Sequence, residues 1–66
     1  MAQAKVGTTI AAVRNVKGLT QAALAKRAGI HRSHLGKIEV GIVSPGLPTI
    51  EKIAKAMKVK PSQLIR

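Results

Sequence analysis

An all-α domain of five short helices is what this sequence predicts, and three observations predict it. Apolar residues recur at helical spacing, as at Val6, Ile10 and Val13, which fall on one face. Gly18, Gly29 and Gly41 each follow such a run, where a residue tolerant of positive φ can stop a helix. No strand-like alternation extends beyond a few residues, and there is no internal repeat or low-complexity segment.

Residues 1–4 are expected to fray, and the first helix runs from Lys5 to the stop at Gly18. Thr20 is an N-cap candidate, with a hydroxyl able to accept amides of the next turn. The second helix, Gln21 to Ala28, turns Leu24, Ala25 and Ala28 inward and Lys26 and Arg27 outward. Gly29 ends it, and Ile30 is an apolar plug after the turn. The third helix covers roughly His31 to Val40, with Leu35 and Ile38 facing in. Residues 41–47, with two glycines and Ser44-Pro45, read as turn. Pro48 suits the first turn of a fourth helix with the stripe Leu47, Ile50, Ile53, Ala54 and Met57, leaving Lys52, Lys55 and Lys58 to solvent. Pro61 opens a fifth helix, Pro61 to Ile65, anchored by Val59 and Leu64.

Sixty-six residues make one domain, 1–66, near the lower size limit for folding on a hydrophobic core alone. The chain has no Phe, Tyr, Trp or Cys, so its core is aliphatic. Disulfides, thiolate metal sites and cysteine nucleophiles are excluded, which fits a reducing compartment. Twelve Lys and Arg stand against two acids, Glu39 and Glu51, for a formal net charge of +10. Such a chain favours polyanions, either nucleic acid or an anionic membrane. No apolar run approaches a membrane span and no signal-peptide segment opens the chain, so the cytoplasm is the expected location.

The stretch from Leu19 to Glu39 organises the rest. Two short helices can cross steeply only where their contact is small, and Ala25 supplies a small residue there. Gly29 lets the backbone reverse without a Cβ clash, and Ile30, Leu35 and Ile38 pin the second member to the body. An ordinary helical hairpin would need none of this spacing together.

Further residues extend the pattern: Ile10, Arg14, Gly18-Leu19-Thr20-Gln21, Leu24-Ala25, Ala28-Gly29-Ile30, Leu35, Ile38-Glu39, Gly41, Ser44-Pro45, Leu47, Thr49, Ile53-Ala54, Ala56-Met57, Val59 and Leu64. On these residues the chain resembles the helix-turn-helix domain of lambdoid-phage repressors and Cro, a class that includes xenobiotic-response-element-type bacterial regulators. The resemblance covers about residues 5–65 without a gap. It implies a lambda-repressor-like DNA-binding domain with the helix-turn-helix at helices 2 and 3. It also implies a sequence-specific transcription regulator of repressor type, working as a homodimer on a pseudo-palindromic double-stranded DNA operator. The dimer surface would lie around Met57 to Pro61 and the C-terminal helix. Both a stand-alone Cro-like, controller or antitoxin-type regulator and the DNA-binding part of a longer one fit these residues.

In that geometry the helix from about 31 to 40 enters the major groove, and Arg32, Ser33 and Lys37 point at base edges. The side-chain chemistry suits them, since Arg or Lys donating to guanine is the commonest specific contact, with discrimination of about 1–3 kcal/mol per bidentate pair. Arg32 could instead clamp a phosphate, as could Lys37. Thr20, Gln21, His31 and Ser44 are expected at the DNA backbone. For Thr20 capping is the larger role. Gln21 either meets a phosphate beside the free amides of its helix or braces a reading side chain. Glu39 is either a solvated charge or a paired one, and the resemblance implies a buried structural ion pair with Arg14.

Some residues depart from the family pattern. His31 replaces the usual Ser or Thr cap and caps less well. Metal binding by His31 and His34 lacks a third ligand, so no metal or cofactor is expected. Gly36 interrupts the third helix, either to allow close approach to DNA or for no functional reason. Ala23 removes a capping box with Thr20. Val40, Ile42 and Val43 stand where polar or basic residues are usual, which points to packing or to a protein contact.

Two other classes compete. A nucleoid-type or RNA-binding basic protein would bind without sequence preference. A membrane-active cationic peptide is disfavoured because glycines and prolines break the basic helices. No constellation of nucleophile, base and acid suggests an enzyme, and no small-molecule ligand is suggested.

Overall fold

The structure, a computed structural model, describes residues 2–65, with side chains for residues 5–65. Four α-helices follow one another: α1 (Ala2–Val16), α2 (Gln21–Ala28), α3 (Arg32–Glu39) and α4 (Leu47–Met57). α1 is assigned from Ala2, which corrects the expected start at Lys5; of the end expected to fray, Met1 lies outside the described residues. No strand occurs among the described residues.

The fifth element is not an α-helix. It is a single 3₁₀ turn, Pro61–Gln63, which corrects the expected helix over Pro61 to Ile65. Five residues are too few to set up a ladder of i→i−4 bonds, and Pro61 has no amide to donate. The turn closes through shorter bonds, Gln63 N–H to Lys60 O at 2.9 Å and Leu64 N–H to Pro61 O at 2.9 Å. The Gln63 side-chain oxygen accepts from the Lys60 amide at 2.8 Å, which fixes the entry.

Helix starts are set by local chemistry. The Thr20 hydroxyl accepts the Ala23 amide at 3.0 Å and so caps α2. Gly46 precedes α4, and Pro48 lies in its first turn, where no amide is required. At the other ends, every α-helix closes in the same way. A residue in the left-handed region, at Gly18, Gly29, Gly41 or Lys58, is followed by an aliphatic one whose amide bonds back across the last turn. For α2 these bonds run from Gly29 to Lys26 O at 3.2 Å and from Ile30 to Ala25 O at 3.0 Å.

Lys58 is the one non-glycine residue among these four, at φ 58°. A left-handed L-residue with a Cβ costs about 1–2 kcal/mol. Lys58→Gly is therefore expected to stabilise the fold by about 0.5–1 kcal/mol, after the added freedom of the unfolded chain is subtracted. Thermal melting checks this, with an expected rise of a few degrees.

The core draws on every helix. Ile10, Leu24, Leu35, Ile38, Ile53 and Leu64 have fully buried side chains, and Ala25, Ala28, Ile50, Ala54 and Met57 complete the cluster. Leu64 is thus secured although its element is only a turn. Leu47, expected on the buried stripe, is exposed, because the first turn of α4 extends past the edge of the core. The main pairings are α1 with α3, α2 with α3, and α2 with α4, so α2 lies between α3 and α4.

Candidate nucleic-acid interface

α2 and α3 pack directly, with Ala25 buried in α2 and Leu35 and Ile38 buried in α3. Burying Leu35, Ile38 and Glu39 turns the opposite side of α3 outward. Arg32, Ser33 and Lys37 are all exposed on it, and His34 and Gly36 are half-buried at its edges. The family resemblance implies all three on this side; spacing alone joins only Ser33 and Lys37, four apart on the helix, with Arg32 beside them at its start.

That face is held in place by one polar cluster. Arg14 Nε donates to Glu39 Oε2 at 2.8 Å, and Arg14 Nη2 donates to Glu39 Oε1 at 3.1 Å. The remaining nitrogen, Nη1, donates to the Leu19 carbonyl at 2.8 Å. The Glu39 side chain is only 5% exposed and that of Arg14 13%. A planar guanidinium can make this two-point contact and still reach a third acceptor, which an ammonium cannot. One residue of α1 thereby ties the loop before α2 to the end of α3.

Gln21 belongs to the same cluster, since its Nε2 donates to Glu39 Oε1 at 2.9 Å. Its side-chain amide is thus directed at the scaffold. The backbone amides of Gln21 and Ala22, in the first turn of α2, have no acceptor among the described residues. This helix start lies beside the middle of α3, because a Cβ built on Gly36 would lie 3.9 Å from Gln21 Oε1. The exposed side of α3 and the N-terminus of α2 therefore form one surface. Thr20 is exposed at its rim, and its hydroxyl oxygen is engaged as the cap.

His31 is the N-cap residue of α3 but makes no side-chain cap bond, so the first amides of that helix are also free. It is exposed, as is Ser44, which lies in the segment between α3 and α4. Among the described residues, no three of His, Cys, Asp and Glu come together as metal ligands would. The apolar segment after α3 divides. Val43 packs against the core, whereas Val40 and Ile42 are exposed, Ile42 at 74%.

Reasoning from the sequence missed Gly7. This buried glycine lies in α1 where the helix meets the end of α3. A Cβ there would overlap the carbonyl oxygen of Ile38 and lie 2.8 Å from that of Glu39. The only signal in the sequence was a glycine inside an otherwise regular helical pattern, which marks close approach as readily as weakness.

A four-helix domain in which a helix is held outward by a buried Arg–Glu pair, with basic and hydroxyl side chains exposed on it, defines a class. The chain belongs to the helix-turn-helix family, whose model matches residues 10–64. Among its relatives is the immunity repressor protein of Bacillus phage phi105, 38% identical over 60 residues that cover 91% of this chain. The matched part is 42% of that repressor's length. Among solved structures, the restriction-modification controller protein C.AhdI from Aeromonas hydrophila superposes with a TM-score of 0.92 at 35% identity, covering 94% of both chains. The master regulator for biofilm formation SinR, solved in complex with DNA, superposes with a TM-score of 0.88 at 29% identity, covering 92% of this chain and 98% of that one.

Proposed function

We propose that this chain is a sequence-specific, DNA-binding transcription regulator of repressor type that inserts α3 into the major groove of a pseudo-palindromic operator. The observation that carries this is the continuous surface made by Arg32, Ser33 and Lys37 on α3 and the free amides at the start of α2, held by the Arg14–Glu39–Gln21 cluster around the buried Glu39. Arg32 reads a base edge, with Ser33 and Lys37 beside it. Thr20, Gln21, His31 and Ser44 meet the sugar-phosphate backbone, Gln21 through its main-chain amide. Likeness to a phage repressor and to a DNA-bound regulator supports the same reading.

A single α3 spans one half-site, so the protein acts as a homodimer, at least on DNA, with half-sites about 10 bp apart or a multiple of that. Met57 is buried in the core, so the dimer surface starts at Lys58 and continues through Pro61 and the C-terminal segment. The protein works in the cytoplasm of a bacterial cell or phage-infected host. No helix among the described residues is long and apolar enough to cross a membrane.

Selection of duplexes from a random pool tests the reading. A dyad-symmetric consensus is the expected result; recovery without a consensus would leave a sequence-tolerant basic protein instead. Arg32→Ala is expected to weaken binding to the selected operator by about 1–3 kcal/mol and to relax preference at one base pair of each half-site. Because Arg32 is exposed, thermal melting should change little. Uniform weakening on every sequence would make Arg32 a phosphate clamp.

A further inference from the structure

Much of the positive charge lies away from the proposed reading surface. Arg27, Lys52 and Lys55 line an open cleft of about 510 Å³ between the end of α2 and α4. A second cleft of about 150 Å³ adjoins it, sharing Arg27 and Ala56 and adding Lys17 and Lys58. All five cations are exposed. The ion pair found among the described residues is Arg14–Glu39, and Glu51 lines neither cleft.

Helix-end electrostatics explains only part of this cluster. Arg27 and Lys55 lie in the last turns of α2 and α4, where the dipole favours a cation. Lys52 lies in the middle of α4, and Lys58 occupies a left-handed position that glycine would fill without strain. Five like charges around adjoining clefts repel one another, which disfavours the compact state unless an anion is present.

We propose that this α2–α4 face is a second, sequence-independent site for the phosphate backbone of duplex DNA, which lets a protein seated on its operator through α3 hold another duplex segment. The inference rests on the DNA-binding reading above. The location suits it, because α2 lies between α3 and α4, and neither cleft is lined by Thr20, Gln21, Arg32, Ser33 or Lys37. The chemistry selects a duplex over a single strand. Single-strand sites stack bases on aromatic rings, and this chain has none. Backbone contacts need only cations spaced along a surface. An anchored operator also supplies neighbouring duplex at high local concentration, so weak affinity suffices.

The test uses the full chain. A short operator duplex, no longer than the selected site, is fixed sparsely to beads and saturated with protein, and unbound protein is washed away. Each retained protein is then held through its reading surface, and no neighbouring duplex is within reach. A short labelled duplex of unrelated sequence is then added. The parent should capture it, and capture should fall steeply with salt. The variant Arg27→Gln/Lys52→Gln/Lys55→Gln should lose capture by about tenfold or more while keeping operator affinity within about twofold. These changes leave Lys58 and its backbone untouched, and glutamine is a good helix former. Should the triple variant fail to melt cooperatively, Lys52→Gln alone, at an exposed mid-helix position, should lower capture by a smaller factor, again with operator affinity kept. A parent that binds operator but captures no second duplex overturns the proposal, and so does a folded variant that captures as well as the parent. An equal loss of capture and operator affinity also overturns it, because the cleft would then belong to the reading surface. A parent that binds no operator at all defeats the DNA-binding reading itself, which separates the two failures.

Discussion

Replacing Arg14 by alanine is expected to lower the melting temperature by roughly 12–40 °C, if each kcal/mol is worth about 4–8 °C in a domain of this size. The Glu39 side chain is 5% exposed and would retain only the Gln21 amide as a side-chain donor. Stranding one member of a buried pair costs about 3–5 kcal/mol. The Leu19 carbonyl also loses its guanidinium donor, which loosens the loop that leads into α2. A domain of 66 residues has only about 3–10 kcal/mol of total stability, so the variant should lie near the threshold of folding. Salt should not abolish the difference from the parent, because a buried pair is screened much less than an exposed one. The double variant Arg14→Met/Glu39→Leu removes both charges and should recover much of the loss, the mark of coupling between neighbours. If Arg14→Ala melts within a few degrees of the parent, the pair is not the clamp described here.

Gly7→Ala is expected to destabilise by about 2 kcal/mol or more. Alanine in place of glycine normally strengthens a helix by about 1 kcal/mol, so intrinsic propensity predicts the opposite sign. Packing overrides it, because the added Cβ meets the carbonyl oxygens of Ile38 and Glu39. Those are backbone atoms and cannot rotate aside, so α1 must move away from α3. Overpacking of this kind costs about 1–3 kcal/mol, occasionally more. The shift would also disturb Arg14, on the same helix, and its contact with Glu39. Gly36→Ala is the matched control. Its Cβ would find only the Gln21 side-chain oxygen, at 3.9 Å, so it should stabilise by about 0.5–1 kcal/mol. Thermal melting of the two variants under one condition is the measurement, and a stabilised Gly7→Ala would refute the close approach of α1 to α3.

Four of the helices and most of the core were legible in the sequence because their causes are local. Periodicity at Val6, Ile10 and Val13, the cap at Thr20 and the stops at Gly18, Gly29 and Gly41 each act within one or two turns. The outward side of α3 was legible for the same reason, since spacing fixes which residues share a face. The fifth helix was not legible, because the apolar anchor at Leu64 fits an α-helix and a single turn equally, and burial of that residue requires only the turn. Lys58 hid a helix end because the left-handed conformation there is not announced by glycine.

Only the tertiary structure decided what joins distant parts of the chain. Gly7 meets Ile38 and Glu39 across more than thirty positions of sequence, and no local pattern reports how closely two helices approach. By sequence Gln21 either meets a phosphate or braces a reading side chain; the fold instead turns its side chain to the scaffold, with Glu39 within 2.9 Å of its amide nitrogen. The arrangement of charge follows the same division. The sequence by itself determined a net charge of +10 and an aliphatic core. The packing of α2 between α3 and α4 then placed part of that charge on a face of α3 and part around a basic cleft between α2 and α4. Composition and periodicity are sums over neighbours along the chain, whereas a surface is a property of residues that only folding makes adjacent.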